Sequence, residues 1–88
     1  MAHNLANIEL RNETSRPRVI WIEPWGEELT IMPGETIKIT AKHEGELPYF
    51  GIVDHDEGMQ VFIETSDPRS CEYWLAKGGE QLAAGPGQ

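Results

Sequence analysis

The sequence predicts a small all-β domain: a single antiparallel β-sandwich, or flattened barrel, of seven or eight short strands, cupredoxin- or immunoglobulin-like in architecture. Three observations carry that reading. Apolar and polar residues alternate with a period of two over most of the chain, the period of a half-buried strand. Clusters of Gly, Pro, Asn and Asp separate these runs at regular spacing. No segment holds a helical period, and the one run that imitates it, 72–77, is short and lies between turns. With 88 residues the chain is one domain, 1–88, with an ordered core over about 7–83 and loose ends at 1–6 and 84–88.

In the first strand Ile8 and Leu10 alternate with Asn7, Glu9 and Arg11, and Asn12 to Pro17 supply a turn. The second strand, Arg18 to Glu23, is apolar on both sides: Val19 and Trp21 face one way, Ile20 and Ile22 the other. Glu23-Pro24-Trp25-Gly26 turns the chain into a third strand marked by Leu29 and Ile31. Met32-Pro33-Gly34-Glu35 is the strongest local signal, because proline presets φ and glycine takes φ > 0 as a type II turn demands.

Thr36 to Lys42 forms the fourth strand, with Ile37, Ile39 and Ala41 inward. An acidic loop, 43–48, leads to a fifth strand, Tyr49 to Val53, and a tight acidic turn, 54–58. Met59, Val61 and Ile63 share one face of the sixth strand. After a turn at Ser66-Asp67-Pro68-Arg69, Cys71, Tyr73 and Leu75 alternate with Glu72, Trp74 and Ala76 in the seventh. Gly78-Gly79 turns into a short eighth, Glu80 to Ala83. If strand direction alternates, loops 24–28, 43–48 and 65–70 meet at one end of the domain, and loops 12–17, 33–34, 54–58 and 77–80 at the other.

Charge narrows the function classes. Fifteen acidic against seven basic side chains give a net charge of −8, which repels phosphate backbones and offers anionic membranes no basic face. No nucleic-acid or membrane partner is expected. The single Cys71 allows neither an intrachain disulfide nor a multi-cysteine zinc site. The N-terminus has no basic region followed by an apolar run, and no apolar segment reaches membrane-spanning length, so a cytoplasmic location is expected. Without a signal peptide, the Asn12-Glu13-Thr14 triplet carries no weight as a glycosylation acceptor.

Several residue groups bear chemistry. Asp54-His55-Asp56-Glu57-Gly58 has the D-x-D-x-G look of a calcium loop, but its fifth position is already Gly58 and its twelfth is Thr65. It reads as an acidic β-turn. Cys71 falls at the same end as His43, yet it is in phase with Tyr73 and Leu75, as a small buried hydrophobe would be. His43, Glu44, Glu46 and Asp67 offer ligands for a divalent ion at that end, but acid-rich loops are usually solvated, the reading favoured here. No catalytic residue, metal site or cofactor is assigned.

The aromatics give two sharper readings. Trp25 sits in a turn beside Glu23, Glu27 and Glu28, and with Glu27, His43 and Tyr49 it makes a ligand-binding candidate for a carbohydrate or a divalent cation. Against this stands Trp25 as a plug for the open end of the core, the reading favoured here. Ile20 and Ile22, with Phe62 and Trp74 on nominally outer faces, predict an interface with a second copy or a protein partner.

The Met32–Ile39 segment resembles a hairpin found early in cupredoxin-like and other bacterial β-sandwich domains. No histidine follows Cys71, which excludes a blue-copper site. The stretch W-I-E-P-W-G-E-E-L-T-I-M-P-G-E resembles the signature of small bacterial proteins of no assigned activity. It implies a bacterial, single-domain, all-β protein and carries over no functional residue. The expectation is a non-enzymatic sandwich module acting by self-association, as a homodimer, or by protein binding. The alternative is a small-ligand binder at the end carrying Trp25, His43 and the acidic loops.

Overall fold

Two four-stranded sheets pack face to face in the computed structural model, which describes residues 4–78 and 80–85. In chain order the strands are β1 (Asn4–Arg11), β2 (Arg18–Glu23), β3 (Glu27–Ile31), β4 (Thr36–His43), β5 (Tyr49–Asp54), β6 (Gly58–Glu64), β7 (Cys71–Lys77) and β8 (Glu80–Gly85). One sheet has the order β1-β4-β7-β8 and the other β3-β2-β6-β5. The sandwich expected from the alternating pattern is therefore the fold. No helix among the described residues is long and apolar enough to cross a membrane.

The ends of the fold differ from expectation in two places. β1 starts at Asn4, where residues 4–6 pair with 41–43 of β4, so this stretch is strand rather than loose end. β8 likewise runs to Gly85, with a register shift opposite Leu75 and Ala76. The expected loose residues 1–3 and 86–88 lie outside the described residues.

The core is built from the inward phase of each strand. Ile20 and Ile22 of β2 are fully buried, together with Ile31, Ile37, Ile39, Ala41, Val61, Ile63, Cys71, Tyr73 and Leu75. Each buried isoleucine contributes on the order of 1.5–3 kcal/mol of transfer free energy. This corrects the interface reading of Ile20 and Ile22: they fill the space between the sheets and are closed to any partner. The outer phase of β2 belongs to Val19 and Trp21.

Five of the six strand pairs are antiparallel, and β2 with β6 is parallel. Alternating strand direction gives this pairing without exception, since both are even-numbered strands. Its tightest point is Gly58 opposite Val19. A Cβ built on Gly58 would stand 1.8 Å from the Val19 carbonyl oxygen and 2.8 Å from its nitrogen, so no side chain fits. The Val19 amide donates to the Glu57 carbonyl at 3.1 Å, closing the approach from the other side.

Crossovers between the sheets are fastened at both ends. At one end Asn12 is buried and fully bonded. Its Nδ2 donates to the carbonyls of Arg16 (2.7 Å) and Ile31 (2.9 Å), and its Oδ1 accepts from the Thr14 amide (2.9 Å) and hydroxyl (2.7 Å). Its backbone exchanges bonds with Gly34 and Glu35 of the Pro-Gly turn, at 2.7 and 2.9 Å. That turn has the expected form: Gly34 has φ +83°, and the Glu35 amide donates to the Met32 carbonyl at 3.0 Å. At the other end the Glu46 carboxylate accepts from both the amide and the hydroxyl of Ser66, joining loops 44–48 and 65–70. Asp67 caps the short 3₁₀ turn Pro68–Ser70.

Two predictions follow from this construction. Gly58→Ala forces the β2 backbone away from β6 and should cost on the order of 3 kcal/mol, lowering the Tm by roughly 10–20 °C in thermal unfolding. The second concerns acid. The Glu46 carboxyl is held below its ordinary value of 4.5, first by its own backbone N–H and that of Ser66. Asp67 is held below 3.8, chiefly by the Arg69 N–H. A depressed folded-state pKa stabilises at pH above the unfolded value, and that contribution disappears as pH falls through the folded one. Melting curves from pH 7 down to about pH 3 should therefore fall less steeply for Glu46→Gln than for the wild type, the two converging at the acid end.

Candidate functional site

The outer face of the β3-β2-β6-β5 sheet carries the residues with the most chemistry. Parallel pairing sets Trp21 of β2 directly against Gln60 of β6, and Glu23 against Phe62. The 55–57 turn rises beside them and is anchored by Arg18, whose guanidinium meets Asp54 at 2.8 Å and donates to the His55 carbonyl at 3.1 Å. His55 stands edge-on to Trp21, with ring centroids 6.0 Å apart and planes at 88°. The result is a groove of about 550 Å³ lined by Trp21, Glu23, His55, Asp56, Glu57 and Gln60.

A polar relay fixes its floor. The Gln60 amide nitrogen donates to Glu23 Oε2 at 3.2 Å. Its carbonyl oxygen is then the partner of His55 Nε2 at 2.7 Å, and since an amide oxygen only accepts, Nε2 carries the proton. Beyond the Asp56–Glu57 turn a second hollow, of about 720 Å³, is lined by Thr14, Arg16, Pro17, Arg18 and Val19. The acidic turn separates the two.

The residues singled out from sequence fall elsewhere. Trp25 packs on Tyr73 at 4.7 Å between centroids and joins the core, so it is the plug. Glu27 accepts from the Tyr73 hydroxyl. Burial, and then that bond to a carboxylate, push the Tyr73 phenol far above its ordinary range. His43 is 3% exposed, its Nδ1 lying 3.0 Å from the Glu46 carbonyl oxygen and 3.1 Å from the Gly45 amide, while Nε2 is buried without a partner. Tyr49 is 65% exposed on the outer face of β5. Trp25, Glu27 and His43 are thus engaged inward and Tyr49 points outward, so the four do not form one ligand surface.

His43 and Cys71 are direct cross-strand partners, the placement a Cys–His dyad would need. The Cys71 thiol nevertheless bonds the Glu72 carbonyl at 3.6 Å and not the imidazole. Burial, then the Glu72 charge, push it above its ordinary value, the opposite of what a nucleophilic thiolate needs. Among the described residues no group of three His, Cys, Asp or Glu side chains is placed to hold a metal ion. Asp54 of the calcium-like loop is paired with Arg18 instead.

Of the interface candidates, Phe62 and Trp74 are half-buried on outer faces as expected, but of opposite sheets. Trp74 lies under the Lys42 ammonium, 5.7 Å from its ring. One flat interface cannot contain both. Trp21, Glu23 and Gln60 were missed because β2 is apolar in both phases. Glu23 shares the phase of Trp21, but Arg18 marks the other phase equally. Comparison with known protein families, curated proteins and solved structures gives no match to this chain.

Proposed function

We propose that the protein is a non-enzymatic sandwich module that acts by self-association, pairing edge strand β5 with β5 of a second copy. The observation that carries this reading is the character of that edge. Natural edge strands are kept from pairing by charges, prolines, bulges or covering elements. β1 carries Glu9 and Arg11, and β3 carries Glu27 and Glu28. β5 reads Y-F-G-I-V-D, without a charge until its last residue. Tyr49, Ile52 and Val53 are 65, 43 and 45% exposed. Ile52 lies on the core side, opposite buried Val61, so the sandwich is uncovered at this edge.

Backbone geometry supports the same partner. The His55 amide donates to the Gly58 carbonyl, so odd-numbered residues of β5 bond to β6 and even-numbered ones turn their N–H and C=O groups outward. An antiparallel copy related by a two-fold axis through Gly51 would set Phe50 against Ile52 on the core side and Tyr49 against Val53 outside. Apolar residues then meet apolar residues, and Asp54 stays at the margin of a chain whose net charge is −8. Phe62, opposite Gly51, extends the outer apolar strip. The two four-stranded sheets would become one of eight strands with an isologous interface.

Light scattering after gel filtration tests this. The wild type should be a dimer at tens of micromolar. Ile52→Lys, which places a charge on the edge, should be a monomer with an unchanged far-UV spectrum. A wild-type monomer at about 100 µM would remove the proposal.

A further inference from the structure

From the Trp21 groove we infer a second, separate activity: recognition of a guanidinium cation. None of its lining residues lies on β5, so the inference stands apart from strand pairing. The argument is a census of hydrogen-bonding groups. One N–H of the Gln60 amide goes to Glu23, and its carbonyl oxygen accepts from His55. What remains for a ligand is chiefly carboxylate: the second oxygen of Glu23 and the oxygens of Asp56 and Glu57. Against these acceptors, the side-chain donors left in the lining are the Trp21 indole N–H and the second Gln60 N–H.

Such a lining suits a ligand rich in donors and carrying positive charge. A polyol hydroxyl can donate to a carboxylate, but it carries no charge to match three of them, and its own oxygens would meet few donors here. Among the described residues no Lys or Arg lines the groove, and Arg18 beside the 55–57 turn is paired with Asp54 at 2.8 Å. Arg16 stands beyond the Asp56–Glu57 turn, in the neighbouring hollow.

Between ammonium and guanidinium, the shape of the site decides. A guanidinium is planar, weakly hydrated and forked, so it can lie on an aromatic ring while its edges bond carboxylates. The groove's lining brings together the Trp21 indole, the Glu23 carboxylate and the acidic 56–57 turn. A compact, strongly hydrated ammonium gains less from an open groove of this kind. The relay from His55 through Gln60 to Glu23 holds the carboxylate in place before the ligand arrives, which lowers the cost of ordering on binding. The cation has two sources with the same chemistry: a free alkylguanidine, or an arginine side chain of a partner.

The test is a ¹⁵N chemical-shift titration with Nα-acetyl-arginine amide and agmatine. The neutral isostere Nα-acetyl-citrulline amide, Nα-acetyl-lysine amide and methyl α-glucoside serve as controls. Shifts should map to the Trp21 indole and to residues 23, 55–57 and 60. Affinity for the guanidines should exceed that for citrulline and lysine amides at least tenfold. It should weaken several-fold in Glu23→Gln and Trp21→Leu, and between 20 and 500 mM NaCl. Unchanged Trp25 and Trp74 indole signals would confirm that both variants remain folded. Binding of agmatine alone would identify a small-molecule site, and equal binding of blocked arginine would identify a side-chain site. Equal affinity for citrulline amide, tighter binding of the lysine amide or the glucoside, shifts at another surface, or no shift up to about 20 mM guanidine would each overturn the inference.

Discussion

The fold depends on the contact of two backbones at Gly58 and Val19. β2 and β6 are the central strands of their sheet and run parallel, so no hairpin can join them and only direct fit holds them in register. That fit leaves no space for a Cβ at position 58. Everything on the outer face follows from it. Trp21 meets Gln60, and Glu23 meets Phe62, because Val19 meets Gly58. The His55–Gln60–Glu23 relay is thus a consequence of strand register as much as of side-chain chemistry. A shift by one residue would turn Trp21 inward and bring Ile20 and Ile22 out.

Around that seam the sandwich closes through polar groups that have no spare capacity. Asn12 uses both its amide and its backbone to bind the β1–β2 loop, the end of β3 and the Pro-Gly turn. Glu46 does similar work for the opposite end, though in water. The two ends differ in kind. One rests mainly on the buried, neutral Asn12 network, the other on exposed carboxylates whose bonds weaken in acid.

Much of this was legible in the sequence. The alternation of Ile37, Ile39 and Ala41, and of Cys71, Tyr73 and Leu75, gave both strand and inward face, because one phase was plainly polar. Pro33-Gly34 gave its turn, because that backbone geometry asks for those residues. β2 defeated the same logic. Each of its phases holds two apolar residues and ends in one charge, Arg18 or Glu23, so periodicity could not say which side was wet. Asn12 and Gly58 read as ordinary turn residues because their roles come from partners distant in sequence, Ile31 and Val19. The candidate site was hidden for that reason too: it spans β2, β6 and the turn before β6, and no local spacing announces it. Nor does spacing reveal that β5 is an edge; only strand order does.

The central claim is that the free edge of β5 is a pairing surface. Its outward amides belong to Phe50, Ile52 and Asp54, and they report directly on whether a partner strand is present. Hydrogen exchange of these three amides should slow markedly between about 5 µM and 500 µM protein, while those of Gly51 and Val53, already bonded to β6, stay protected throughout. Exchange at Phe50, Ile52 and Asp54 that remains fast and independent of concentration would contradict it.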